Sequence, residues 1–225
     1  PAEPGVPAPL EQAVLDSRKG QAELSAVLGE RVREAVEVLL DEHGDLLAQQ
    51  AGDIAPSDIY RAAVRVIMRM VVVLFAESRD LLPRENPVYH AGYGLSGLIE
   101  ELEKTAHRSG ARLARGYAAW PRVLSLFRLV FAGASHPELP VPQYGGELFA
   151  PGDPESPDGL SRALALFERG GFQRQCTSDR DVHRMLELIT RTKVKIRQGR
   201  AATWVPVPVD FSDLSSEYIG ILYEG

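Results

Sequence analysis

Six cations fall in one short interval of the chain, Arg184, Arg191, Lys193, Lys195, Arg197 and Arg200, with Glu187 the one acid among them and Trp204 just beyond. Cations on an extended arm beside an aromatic ring suit contact with phosphate oxygens and stacking against a base. A solvated basic face on an acidic protein is the plainer reading of the same run. Arg191, Lys193, Lys195, Arg197 and Arg200 are the candidate phosphate-contacting residues.

A second group lies in IYRAAVRVIMRMVVVLFAESRDLLP. Arg61, Arg65 and Arg69 recur every fourth residue and Glu77 follows eight after Arg69, so the four share roughly one face of a helix. Such a stripe suits phosphate contact, or ion pairs and backbone hydrogen bonds inside a bundle. The second use is the ordinary fate of charges in an apolar helix. A small unfamiliar active site built from Arg69, Glu77 and Asp80 is a further, weaker reading.

Familiar catalytic and nucleotide-binding motifs are missing from the sequence. GYGLSG has no preceding strand to make it a phosphate loop, and GxSxG, HExxH, CxxC and the kinase set do not occur. His43, His90, His107, His136 and His183 are scattered without carboxylate or cysteine partners at ligand spacing, and Cys176 reads as a bystander thiol. No catalytic, cofactor-binding or metal-ligating residue is assigned.

These groups sit in a chain of 225 residues, 44% hydrophobic and 25% charged, which is enough for one large domain. One cysteine excludes an internal disulfide framework. PAEPGVPAPLEQ lacks the basic and apolar regions of a signal peptide, so a cytoplasmic location is expected. The net charge of −6 and pI near 5.5 argue against coating nucleic acid through overall charge but leave room for a local basic patch.

The positioning elements read as helices. Leu24, Val27, Leu28, Val32, Ala35, Val36, Leu39 and Leu40 make an amphipathic helix ending near His43 and Gly44. From APSDIY a second helix runs to about Leu82, where Pro83 breaks it. Its apolar run is shorter than the ~20 residues of a membrane span and carries Arg65 and Arg69, so it reads as the surrounded helix of a bundle. NPVYHAGYGLSG reads as a loop. Two helices follow, the second opening at Trp120-Pro121 and ending before Gly133, then an irregular proline-rich stretch from His136, then helices in SRALALFERG and DRDVHRMLELITRT.

VKIRQGRAATWVPVPVDF predicts a β-hairpin or extended arm, held to an edge by Pro206 and Pro208. SDLSSEYIGILYEG predicts a helix capped by Ser212 or Asp213. The expected fold is mainly α: an irregular helical bundle with a small β-hairpin or extended arm near the C-terminus. The expected division is a disordered lead-in over 1–20, a helical domain over 21–190 and a basic arm with the start of a helix over 191–225.

Four stretches in order carry a resemblance: IYRAAVRVIMRMVVVLFAESRDLLP with NPVYHAGYGLSGL, AWPRVLSLFRLVFAG, VPQYGGELFAP, and DFSDLSSEYIGILYEG. Together they resemble the region upstream of the methyltransferase core in large adenine-specific DNA methyltransferases, the single-chain type IIG restriction-modification enzymes and their BREX and DISARM phage-defence relatives. The resemblance spans Leu24 to Gly225. It implies a non-catalytic N-terminal helical domain that supports the catalytic domain and contacts DNA backbone, with Arg191, Lys193, Lys195, Arg197 and Arg200 as its DNA-binding residues. It also implies that the parent enzyme is an S-adenosylmethionine-dependent DNA adenine N6-methyltransferase. The cofactor loop and NPPY-type tetrapeptide are expected after Gly225, and a protein of the defence system is a further expected partner. The competing expectation is a free-standing helical adaptor that docks protein through the proline-rich interval from His136 to Pro157 and does not bind DNA.

Overall fold

The computed structural model describes residues 27–169, 177–198, 201–209 and 211–213. Among them the chain is mainly helical, with eight helices and a small antiparallel sheet late in the chain. The expected lead-in over 1–20, Cys176, Arg200 and the helix expected after Asp213 lie outside the described residues.

The first helix, α1 over 27–42, buries Leu28, Val32, Ala35, Val36 and Leu39 along one stripe, as its periodicity predicts. A turn at His43 leads into a short α2, Gly44–Gln50. The long α3, Pro56–Ser78, starts with Pro56 in its first turn, where a missing N–H costs nothing. It buries Ala62, Ala63, Val66, Ile67, Met68, Met70, Val71, Val73 and Leu74, and packs against later helices on more than one side. This is the surrounded helix that its apolar run predicts. No helix among the described residues is long and apolar enough to cross a membrane.

The helix α3 ends at Ser78, ahead of Pro83. Asp80 adopts a left-handed conformation (φ 54°), and the Leu81 N–H reaches back to the Ala76 carbonyl at 2.9 Å, closing the helix as a C-terminal cap does. The stop is therefore local turn geometry, and the proline only follows it.

NPVYHAGYGLSG, expected as a loop, contains a helix. Asn86 accepts hydrogen bonds from the Val88 and Tyr89 N–H groups, and Pro87 supplies a preset first turn for α4, Pro87–Gly92. Its Gly and Asn content marks caps and a close approach. A Cβ on Gly97 would sit 2.0 Å from the His90 carbonyl oxygen, so only glycine lets α4 cross the start of α5, Leu95–Leu113.

Next comes α6, Ala119–Ala132, which buries Trp120, Val123, Leu124, Leu126, Phe127, Leu129 and Val130 and stops at Gly133 (φ 72°). Two three-residue strands, β1 (Ala134–His136) and β2 (Leu139–Val141), pair antiparallel, and an irregular stretch then runs to α7, Gly159–Arg169. The helix α8, Asp179–Thr190, is capped by Ser178, whose side chain accepts from the Asp181 N–H. It lies antiparallel to α5: the Asp179 N–H donates to the Gly116 carbonyl at one end, and Arg191 meets Glu103 at the other.

The chain then forms the predicted hairpin, β3 (Arg191–Gln198) against β4 (Ala201–Pro208), in a register that sets Lys195 opposite Trp204 and Lys193 opposite Pro206. After it, a single 3-10 turn at Phe211–Asp213 docks on α3, with Phe211 buried and the Arg79 guanidinium donating to the Ser212 carbonyl at 2.7 Å.

His43 sits 1% exposed against the rings of Trp120 and Phe167. Its Nδ1 lies 3.0 Å from the Leu39 carbonyl, which can only accept, so Nδ1 carries the hydrogen and the buried Nε2 has no partner. Burial holds this ring below its ordinary pKa of 6.5, against a smaller opposing effect of the Leu39 carbonyl. The unfolded chain therefore takes up a proton that the folded chain refuses, and stability is lost as pH falls through the unfolded-state value. Denaturant midpoints should drop between about pH 7.5 and about pH 5.5, and drop less in His43→Leu. An identical drop in the variant would assign the pH dependence to other groups.

Candidate functional site

The charged residues of α3 do not assemble into one site. Arg61 is exposed and pairs with Asp58 at 3.3 Å. Arg65 reaches Glu147 at 3.1 Å. Asp80 lies on the surface, 3.9 Å from Arg84. Arg69 and Glu77, the two fully buried charges of the helix, serve different neighbours.

Arg69 is 0% exposed. Its Nε donates to the Leu148 carbonyl at 2.6 Å, one terminal nitrogen to the Ala150 carbonyl at 2.8 Å, and the other to Glu168 on α7 at 2.7 Å. The second oxygen of Glu168 accepts from the Gly152 N–H at 3.0 Å. One guanidinium thus fastens the turn in ELFAP to α3 and α7, and its planar fork of donors matches two carbonyls and a carboxylate at once. Phe149, between the two captured carbonyls, packs edge-on against Phe127, whose ring also lies 5.4 Å from the guanidinium carbon.

Glu77 does the corresponding work on the other side. Its carboxylate accepts from the Tyr89 hydroxyl at 2.9 Å, the Leu95 N–H at 2.8 Å, the Ser96 N–H at 3.0 Å and the Ser96 hydroxyl at 2.5 Å. Two of these donors are first-turn N–H groups of α5, so a carboxylate from another helix caps α5 where Gly94 has no side chain to offer. Burial, and then the Glu77 carboxylate, raise the Tyr89 hydroxyl above the usual phenol pKa, so it remains a donor. Two of the three glycines of GYGLSG, Gly94 and Gly97, go to this helix start and to the α4 crossing.

A cleft of about 370 Å³ opens beside Arg69, walled by Leu124, Phe127, Phe131 and Phe149, with Arg69 and Glu168 at one side. Those two polar groups are committed to each other and to loop backbone. Among the described residues no three His, Cys, Asp or Glu side chains gather at metal-binding range.

The basic interval resolves into parts. Arg184 is exposed on α8. Arg191 sits at the foot of the hairpin, where it pairs with Glu103 at 2.5 Å and Glu187 at 3.7 Å, and it ties the hairpin to α5. Lys193, Lys195 and Arg197 take alternate positions of β3, which share one face of a strand, and their register partners on β4 are Pro206, Trp204 and Ala202. The intervening positions are Thr192, Val194, Ile196 and Gln198, so the ribbon alternates between a basic and a mostly apolar series. Arg200 falls outside the described residues.

Sequence reasoning predicts α5 as a helix but misses the cations it carries as a group. Lys104, His107, Arg108, Arg112 and Arg115 are all exposed along its second half and the turn after it. Their signal is a recurrence of cations at three- and four-residue spacing in KTAHRSGARLAR. Comparison with protein families, curated proteins and solved structures finds no match for the chain.

Two substitutions test the buried pair of anchors. Arg69→Ala strands Glu168 and two carbonyls and should cost about 3–5 kcal/mol in urea unfolding. Arg61→Ala, on the same helix but exposed, should change stability by about 0.5 kcal/mol or less. Glu77→Gln keeps the shape of Glu77 but turns an NH2 towards donors, so it should lower stability by ~2 kcal/mol or more, close to the effect of Glu77→Ala. A glutamine variant as stable as the parent would mean that the α5 cap needs only one acceptor.

Proposed function

We propose that this chain is a non-catalytic helical module of an adenine-specific DNA methyltransferase of phage defence or restriction-modification, which supports the catalytic domain and contacts DNA backbone through the β3–β4 hairpin. The family part of this reading rests on the four ordered stretches of sequence. The DNA part rests on one observation: Lys193, Lys195 and Arg197 alternate along a two-stranded ribbon whose register sets Trp204 across from Lys195. A two-stranded ribbon of eight-residue strands is about 25 Å long and fits a duplex groove. Cations at alternate positions meet successive phosphates, and an indole beside them offers a stacking face.

Two of the four resembling stretches have a structural use in this fold. FAES supplies the α5 cap through Glu77, GYGLSG the α4–α5 crossing, and GGELFAP the segment held by Arg69. They are scaffold for a domain whose chemistry belongs to its parent, and S-adenosylmethionine would be bound by the parent's catalytic domain. No step of methyl transfer is assigned to residues of this chain. The proline-rich interval of the adaptor reading is held to the helical body through Leu148, Ala150 and Gly152, with Pro137, Pro140, Pro142, Pro151 and Pro157 exposed.

The test is binding of a labelled DNA duplex by the whole chain across a salt series, beside Lys193→Glu, Lys195→Glu, Arg197→Glu and Arg200→Glu combined. The log–log salt slope should shrink by roughly 3–4 in the variant, about one for each phosphate that is no longer neutralised. Arg191 is left in place because it anchors the hairpin. Unchanged affinity and slope would remove the hairpin from the DNA-contacting surface.

A further inference from the structure

We propose that the second half of α5, with Lys104, Arg108, Arg112 and Arg115, is a second phosphate-contacting surface that continues the hairpin's basic strand, so that one DNA duplex lies along both. This rests on the DNA reading of the hairpin for its choice of ligand, and on independent residues for its support.

The first observation is where the charge is left over. Exposed arginines elsewhere on the body are matched by neighbours: Arg33 by Glu30 and Glu37, Arg61 by Asp58, Arg84 by Asp80 and Glu85, Arg162 by Asp53. Arg108, Arg112, Arg115 and Arg184 make no ion pair or hydrogen bond among the described residues. All four lie on α5, the turn after it, or α8, which pack on one another. The acids of this half of α5 and of α8 are already engaged: Glu100 by Lys104 and His90, Glu101 by Arg122, Glu103 by Arg191, Asp179 by the Ala119 N–H, Asp181 by Arg180, and Glu187 by Arg191 and His183. On a chain of net charge −6, uncompensated cations gathered on one pair of helices are charge complementary to a polyanion.

The second observation is shape. Lys104, Arg108 and Arg112 line one shallow concavity of about 500 Å³ with His90, Thr105 and Arg122 and with the carboxylates of Glu100 and Glu101, which pair with Lys104 and Arg122. Ser109 breaks the regular helix between Arg108 and Arg112 (φ −167°, ψ 93°), and the concavity still gathers both. Arg122, which also lines it, is held by the His90 and Gly94 carbonyls at 2.7 and 3.0 Å.

The third is continuity. A second, flatter concavity joins Lys104 and Arg108 to His107 and Glu103. Glu103 holds Arg191, the first residue of β3. Shared concavities and the Glu103–Arg191 pair thus place the α5 cations beside the foot of the strand that carries Lys193, Lys195 and Arg197. Backbone phosphates, spaced about 3.4 Å along each strand of a duplex, are the anion series that such a line can follow.

The experiment is duplex binding by the whole chain in a salt series, comparing Arg108→Glu/Arg112→Glu, the hairpin variant above, and Arg33→Glu as a paired-arginine control. The α5 variant should bind at least ~10-fold more weakly at low salt and its salt slope should fall by roughly 2, with the control unchanged. Arg108→Gln/Arg112→Gln should show the same fall in slope, and matching thermal melts exclude a folding defect. Weakened binding in the hairpin variant alone would overturn the α5 surface and keep the hairpin. Weakened binding in the α5 variant alone would do the reverse. No binding by the parent chain at low salt would overturn both, and equal binding of polyglutamate would replace DNA with acidic protein as the occupant.

Discussion

Everything around α3 depends on the cost of burying a charged group. A guanidinium with no access to water is tolerated only where its donors are met, and Arg69 meets them with the Leu148 and Ala150 carbonyls and with Glu168. Those partners come from segments about eighty and ninety-nine residues away in the chain. Placing Arg69 therefore also places the irregular segment between β2 and α7, and with it Phe149 against Phe127. A proline-rich stretch with no regular hydrogen bonding of its own acquires a single conformation in this way.

Glu77, two turns further along α3, spends its burial on a different object. Four donors converge on its carboxylate, two of them from the first turn of α5. The long helix therefore carries one buried cation that organises a loop and one buried anion that starts a helix. Because α5 is positioned by Glu77 and runs antiparallel to α8, the same carboxylate indirectly sets where the exposed cations of α5 stand beside the foot of the hairpin.

A division of labour results between the interior and the surface. Among the described residues, Arg69 and Glu77 are met by an ion pair or by converging hydrogen bonds and hold architecture, whereas Arg108, Arg112, Arg115 and Arg184, exposed and without acidic partners, lie on α5, its following turn and α8, next to a ribbon with basic residues at alternate positions. The proposed contact with DNA uses only the second kind. The stretches on which the proposed function rests fall mostly on the first kind, and for that reason they describe a scaffold better than a site.

Much of this was legible in the residues alone. Apolar periodicity determined α1, α3, α6 and the surrounded position of α3, and alternation with a glycine turn determined the late hairpin, because these signals depend on near neighbours in the chain. The basic interval was readable as a cluster. The helix α4 was hidden because Asn and Pro serve equally as loop formers and as the cap and first turn of a helix, and only the Asn86 hydrogen bonds decide between them. The stop of α3 at Ser78 was hidden behind the more conspicuous Pro83. Tertiary structure alone decided that Arg69 and Glu77 face different partners, that Arg191 anchors a hairpin to Glu103, and that the exposed cations of α5 lie beside that anchor. Each of these joins residues far apart in the chain, and a pattern of near neighbours carries no information about which distant donors and acceptors will meet.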